Sequence, residues 1–337
     1  MTEPIRIGVL GAARIVPSGL LQPASEREDV RVTHVAARDP AREAAFAAQH
    51  GLTAAGGYEA LIQHDDIDLV YIALPPSGHC EWSIRALEAG KAVLCEKPFA
   101  MSAQEAERMV AAAERAGRPL IEAFHYRYHP TVRRAEALLR EGAIGRVISA
   151  RASFCTTIPD QPGEFRWIRE LGGGAVMDLG CYPIHALRTL IGGEPEVIAV
   201  EAKLERDVEV VTTARLQFEG GIAAEVRCAM RDVERALDVE IVGSRGRLTI
   251  SNFIVPNFGA TLTVETADRT FFEPAEQCST YSAQLAHVVD VVLRGATPLT
   301  GGRDAIANMR VIERIRAMAE EGAGATCDSR QPAVMPH

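Results

Sequence analysis

The stretch that most constrains this chain is Ala92 to Pro98, AVLCEKP, a short apolar run stopped abruptly by an acid, a lysine and a proline. A run this short, aliphatic and bounded at both ends reads as a strand buried on both faces. In open α/β sheets the carboxyl ends of such strands border the crevice in which ligands bind. Glu96, Lys97 and Pro98 are therefore expected at a crevice mouth. Arginine supplies nearly all the positive charge, and Lys91, Lys97 and Lys203 are the three lysines. Lysine can release its proton where arginine cannot, so a strand-end lysine suits proton chemistry, as it also suits a plain ion pair with Glu96. Proline lowers the cost of a cis bond to roughly 0.5 to 1 kcal/mol, and a turn that swings Lys97 across the crevice is expected to use a cis Lys97-Pro98 bond.

The residues before this strand alternate in the same way. IRIGVL runs into Gly11-Ala12-Ala13-Arg14-Ile15, with a helix expected after Pro17. A small-residue turn between strand and helix lets a pyrophosphate approach backbone N–H groups, although alanine and valine replace two glycines of the G-x-G-x-x-G pattern, and a plain tight turn fits as well. A second strand, Val30 to Ala37, ends at Arg38-Asp39, near where a dinucleotide fold reads the adenosine ribose. Asp39 reads as a helix cap ahead of Pro40. Further strands are expected at Leu69 to Pro75 and Pro119 to Phe124, and a capping box at Ser102 to Glu105 opens the helix ending at Gly117. Strand alternating with helix gives a doubly wound parallel sheet.

After about His125 the texture changes. From Val197 to Phe272 strand follows strand, with hairpins about Glu219-Gly220-Gly221 and Ser244-Arg245-Gly246. Helices are expected over Tyr281 to Arg294 and Arg303 to Glu320, and the tail from Gly322 reads as loose. A chain of 337 residues, 47% hydrophobic, fills two cores. A net charge of −9 without a basic patch argues against a nucleic-acid or anionic-membrane surface. No run approaches a membrane span and no signal-peptide core precedes Ile5, which makes cytoplasm the expected compartment. Seven cysteines without paired spacing fit reduced, packed thiols, Cys95 and Cys181 included, and no His, Cys and carboxylate cluster suggests a metal.

The chemistry gathers in GGGAVMDLGCYPIH. Asp178 and Tyr182 are four apart, which on a helix puts both on one face with His185 a turn beyond. Three opening glycines with Gly180 and Pro183 make a poor helix, and such departures from propensity mark sites. A buried tyrosine bonded to a carboxylate for structural reasons fits the same spacing. Oxidising an alcohol needs a base for the hydroxyl proton; a phenol serves if a cation favours its phenolate, and an ammonium about 4 Å away at an effective dielectric near 20 does so by roughly 4 kcal/mol.

Taken together, GVLGAARI, ALPPSGHCEWSIRALEAGKAVLCEKP, EAFHYRYHP, GGGAVMDLGCYPIH and NMRVIERI resemble the Gfo/Idh/MocA oxidoreductase family over essentially the whole chain. Tyr182, where many members carry histidine, resembles the branch of dimeric dihydrodiol dehydrogenases, NADP-dependent xylose dehydrogenases and glucose-fructose oxidoreductases; His125 stands where that branch usually has methionine. The resemblance implies an α/β Rossmann domain over 1–124 and an α+β domain over 125–337 with a large, mainly antiparallel, open-faced sheet for substrate binding and assembly into a homodimer or homotetramer. It implies Tyr182 as acid/base, Lys97 as its partner at substrate and nicotinamide ribose, and Asp178 as positioning carboxylate. Gly11, Ala12, Ala13, Arg14 and Ile15 would form the pyrophosphate turn, and Leu74, Pro75 and His79 the loop beneath the nicotinamide, beside Glu96, Lys97 and Pro98. Arg127, Trp167 and Tyr281 would wall a substrate pocket. An arginine at the end of the second strand accommodates a 2′-phosphate, so Arg38, with Arg42 a turn on, favours NADP(H) over NAD(H). The activity implied is hydride transfer between nicotinamide and a CH–OH or C=O group of a sugar or vicinal diol; a keto-sugar or anhydro-sugar reductase and a non-catalytic dinucleotide-sensing protein are the alternatives.

Overall fold

The computed structural model describes residues 3–231 and 233–328. By internal contacts the chain divides into two compact units, one of residues 1–137, 252–262 and 273–309 and the other of residues 138–251, 263–272 and 310–337.

The first unit carries six strands, β1 (Ile5–Leu10), β2 (Val30–Ala36), β3 (Thr53–Ala54), β4 (Leu69–Ile72), β5 (Ala92–Cys95) and β6 (Leu120–Glu122), in the order β3-β2-β1-β4-β5-β6. All five pairings are parallel. The direction of the strand order reverses between β1 and β4, where a doubly wound sheet binds its ligand. Both β4 and β5 are buried at every residue, as an aliphatic run without alternation requires. The connecting helices are α1 (Gln22–Ser25), α2 (Pro40–His50), α3 (Tyr58–Ile62), α4 (His79–Glu88) and α5 (Ala103–Ala116). Asp39 caps α2 by accepting from the Ala41 and Arg42 N–H groups. The box at α5 is reciprocal: Ser102 Oγ accepts from Glu105 N at 3.1 Å, and Glu105 Oε2 from Met101 N at 3.1 Å.

The residues after Pro17 depart from expectation. Pro17–Leu21 is a π-turn and the α-helical part is only α1.

The second unit is built on an eight-stranded sheet. After α6 (Pro130–Arg140) come β7 (Val147–Cys155), β8 (Glu196–Glu205), β9 (Val208–Phe218), β10 (Ile222–Ala229), β11 (Val239–Gly243), β12 (Gly246–Ile250), β13 (Thr261–Thr266) and β14 (Thr270–Pro274), ordered β14-β13-β12-β11-β7-β10-β9-β8. The hairpins β9/β10 and β11/β12 pair antiparallel, whereas β7 and β10 run parallel. Along β10 the buried Ala224, Val226 and Cys228 alternate with exposed Ala223, Glu225 and Arg227, so one face is packed and the other open. Helix α7 (Cys181–Ile191) lies against β7 and β10.

Two helices close the chain. α8 (Thr280–Arg294) sends Leu285, Val288 and Val289 into the core of the parallel sheet. α9 (Gly302–Asp328) runs past Gly322, where the sequence reads as loose; helix propagation adds one hydrogen bond per residue and carries it through the small residues. The rest of that tail, 329–337, lies outside the described residues. Among the described residues no helix is long and apolar enough to cross a membrane.

Candidate active site

The turn after β1 is built from backbone. Gly11 has φ +108, and a Cβ there would lie 2.5 Å from the Ala73 carbonyl oxygen, so only glycine fits. Its N–H donates to Ala36 O at 2.8 Å, and Ala13 N donates to Gly11 O at 2.9 Å. Ala12 is buried, Ala13 and Ile15 are half-buried, and Arg14 is exposed. Arg42 reaches the same turn, with Nη2 donating to Ala12 O at 2.7 Å. Its guanidinium braces the turn after β1, a contact that its position one turn after Arg38 did not suggest.

At the end of β2 the local acids are engaged by backbone. Asp39 Oδ1 accepts from Ala41 N at 2.9 Å. Glu43, 3% exposed, accepts from Ala37 N with Oε2 at 2.8 Å and from Gly56 N with Oε1 at 2.7 Å. Arg38 is exposed at the strand end. A cradle closed to any Cβ, an exposed arginine and carboxylates turned toward backbone N–H groups fit a dinucleotide carrying a 2′-phosphate. Glu43 was not anticipated, since an acid in a first helical turn is ordinarily an exposed partner of the dipole.

The loops after β4 and β5 are tied together by His79, fully buried, with Nδ1 2.9 Å from Pro98 O and Nε2 2.9 Å from Leu74 O. Burial lowers its pKa below the usual imidazole value. Pro75 leads into the tight 3₁₀ turn Pro76–Gly78 that enters α4. The Lys97-Pro98 bond is cis. Glu96 Oε1 accepts from the Tyr71 hydroxyl at 2.6 Å, and Glu96 Oε2 from the Lys97 backbone N–H at 3.3 Å. Burial, then the neighbouring Glu96 carboxylate, pushes the Tyr71 phenol well up, so it stays a donor.

Beyond β6, the 3₁₀ turn His125–Tyr128 is buried throughout. His125 Nδ1 lies 2.8 Å from Thr280 Oγ1 and its ring 4.2 Å from that of Tyr281. Burial, with the positive charge of Lys97 second, pushes the imidazole down to about 3, which keeps it neutral. Burial first and Glu96 second raise the Tyr281 phenol. Arg127 pairs with Glu136 through two hydrogen bonds, at 3.0 and 2.9 Å.

In the second unit Asp178 lies on a π-turn, Val176–Gly180, and not on the regular helix that its spacing to Tyr182 suggests; α7 begins only at Cys181. Single π-turns inside helices recur at functional sites. Asp178 and Tyr182 are both buried, and the Tyr182 ring meets Phe154 edge-on at 5.5 Å. His185 is buried a turn further on. Asp178 Oδ2 accepts from Arg166 Nε at 2.6 Å, and Arg166 Nη1 donates to Glu164 Oε1 at 2.8 Å. Burial opposes the Arg166 charge, but Asp178 and Glu164 outweigh it and hold its pKa above the ordinary value. Neither Arg166 nor Glu164 was singled out from sequence. Trp167 next to them is buried, and its indole N–H meets no acceptor among the described residues. A buried donor left open in this way suits a polar ligand.

Residues 5–124 match the model of the Gfo/Idh/MocA oxidoreductase family with its NAD-binding Rossmann fold, and residues 132–249 match that of the family's C-terminal domain. The chain is 35% identical over 327 residues to a dTDP-3,4-didehydro-2,6-dideoxy-alpha-D-glucose 3-reductase from Actinomadura kijaniata, covering 95% of this chain and 97% of that one. It is 34% identical over 326 residues to a D-xylose 1-dehydrogenase (NADP(+)) from Haloferax volcanii, covering 95% and 99%. Among solved structures, a 3-ketoreductase from Actinomadura kijaniata in complex with NADP and TDP-benzene superposes with a TM-score of 0.85 at 32% identity, over 94% of this chain and 98% of that chain. With a six-stranded parallel Rossmann sheet and both family models matched in order, the chain belongs to the Gfo/Idh/MocA oxidoreductase family.

Proposed function

We propose that this protein is an NADP(H)-dependent oxidoreductase acting on the CH–OH or C=O group of a sugar or vicinal diol, with 1–124 as nucleotide domain and 125–337 as substrate and assembly domain. The observation that carries the reading is the buried Asp178 carboxylate, anchored by Arg166 one turn before the buried Tyr182. Arg38, Gly11 to Ile15 and the Leu74, Pro75, His79 and Pro98 loops would hold the cofactor, with Arg42 bracing the turn. NADP(H), when bound, supplies or accepts the hydride. The relatives favour this cofactor: one is named as an NADP(+) enzyme and one is a complex with NADP.

Tyr182 exchanges the proton of the reacting substrate oxygen, and Lys97 favours the phenolate as a compact cation. Asp178 orients the reacting groups as an acceptor. Trp167, with an indole N–H open to a hydroxyl, Tyr281 and Arg127 are the proposed substrate-binding side chains. A second copy of the chain would cover the open sheet face at Ala223, Glu225 and Arg227.

The test is nucleotide-linked absorbance with aldoses, keto-sugars and cyclic diols in both directions, on the parent, Tyr182→Phe and Lys97→Met. Tyr182→Phe should lower kcat by roughly 10² to 10⁴, flatten the pH profile and leave NADPH binding unchanged. A loss below about tenfold with the pH profile intact would move the proton role from Tyr182 to Lys97.

A further inference from the structure

Arg166 grips the Asp178 turn twice. Its guanidinium holds the carboxylate at 2.6 Å, and its own carbonyl accepts from Gly174 N at 2.9 Å. Gly174 O in turn accepts from Asp178 N at 3.1 Å, so one residue secures both the start of the π-turn and the side chain at its centre. Gly174 has φ +113 and lies so close to buried Glu209 that a Cβ there would meet Glu209 Oε2 at 2.2 Å. Arg316 of α9 holds Glu209 from behind, Nε to Oε1 at 3.0 Å. The turn is thus clamped between Arg166 on one side and Glu209 on the other.

The clamp has a charge consequence. Glu164 and Asp178 are 5% and 4% exposed, and both take a hydrogen bond from the one guanidinium, which is 26% exposed at its side chain. Two buried carboxylates that share a cation tolerate its loss poorly, because removing one partner of a buried pair costs more than the pair itself contributes. Each carboxylate takes one N–H of the same planar guanidinium, Asp178 from Nε and Glu164 from Nη1, so the plane fixes the two acids relative to one another. Ammonium is a point charge and cannot reproduce the fork between two acids.

We infer that Arg166 is a positioning residue for the reaction: it aims the Asp178 carboxylate at the reacting groups and shares its charge with Glu164. This rests on the reading of Asp178 as a site carboxylate. Arg166 does not itself touch the reacting atoms.

The experiment compares Arg166→Ala, Arg166→Lys and Asp178→Asn with the parent, for kcat, KM, NADPH binding by nucleotide fluorescence and the urea midpoint. Arg166→Ala should lose about 100-fold in kcat, the scale of a misplaced reacting group, with NADPH affinity unchanged. Sub-denaturing guanidinium chloride should recover about tenfold of that loss by refilling the space between the acids, whereas ammonium chloride or urea at the same concentration should not. Arg166→Lys should stay within about threefold of Arg166→Ala. If Arg166→Ala keeps parent kcat while Asp178→Asn loses it, the positioning role is wrong and the reading of Asp178 survives. A loss in Arg166→Ala that guanidinium leaves untouched, with a lowered urea midpoint, overturns the proposal in favour of a purely structural pair. Parent activity in Asp178→Asn overturns the reading of the carboxylate, and the proposal with it.

Discussion

The π-turns Pro17–Leu21 and Val176–Gly180 each follow a glycine that no other residue can replace, yet different forces hold them. Around the first, Gly11 N bonds to Ala36 O at 2.8 Å, Val16 N to Ala13 O at 3.1 Å and Gly19 N to Ile15 O at 2.7 Å; Arg42 too is spent on a backbone carbonyl, that of Ala12. Around the second, the backbone bonds from Gly174 N to Arg166 O and from Asp178 N to Gly174 O are joined by buried charged side chains: Arg166 on Asp178 and Glu164, Arg316 on the Glu209 that backs Gly174. A turn held by backbone presents N–H groups in one fixed array, the geometry an anion needs, and is indifferent to most side-chain changes. A turn held by buried ion pairs fixes one carboxylate and fails when a single charge is removed. Failure of the first should appear in cofactor binding, and failure of the second in turnover.

The largest effect expected is on the backbone-held turn. Gly11→Ala adds a Cβ 2.5 Å from Ala73 O at φ +108, and both the clash and the backbone conformation force the turn to move. NADPH affinity should fall at least about 100-fold, near 3 kcal/mol, whereas Arg166→Ala leaves it alone. Nucleotide fluorescence titration checks this; binding within about threefold of the parent would break the contrast between the two turns.

How much of this was legible beforehand follows the same division. The buried strand AVLCEKP, the parallel sheet, the two hairpins and the Asp39 cap each leave a local signature, since period, length and turn chemistry sit within a few residues of one another. The π-turns do not, because inserting one residue into a helical ladder leaves the apolar pattern almost intact; GGGAVMDLG signals a strained start but not its form. Arg166 and Asp178 are joined across twelve positions by a loop of no fixed period. Glu43 was hidden by its helix, which made an ordinary first-turn acid of a residue that braces Ala37 and Gly56. α9 passes Gly322 because helix continuation is set by its neighbours and not by that residue alone.

A smaller effect separates Arg38 and Arg42, the two arginines near the turn after β1. Arg38→Ala should weaken NADPH binding by about 1.5 to 3 kcal/mol and leave NADH nearly unchanged, the signature of a contact made only with the 2′-phosphate. Arg42→Ala removes the brace on Ala12 O and should weaken both nucleotides alike, by about 1 kcal/mol. Discrimination by Arg42 as strong as by Arg38 would show that its guanidinium leaves the turn when nucleotide binds.

The smallest effect expected is at Asp39, and it bears on the same choice of cofactor. A carboxylate at this point in a nucleotide-binding sheet ordinarily holds the ribose 2′-hydroxyl and favours NAD(H). Here Oδ1 is taken by the Ala41 N–H at 2.9 Å and faces the Arg42 N–H at 3.4 Å, which makes the residue the cap of α2. Its replacement by alanine removes a partner from two N–H groups at a helix end, so it should cost about 1 kcal/mol of stability, read as a lower urea midpoint at unchanged slope. The ratio of NADPH to NADH affinity should stay where it is. A rise in that ratio would mean that Asp39 meets the ribose, and that an acid had been competing with Arg38 at the strand end.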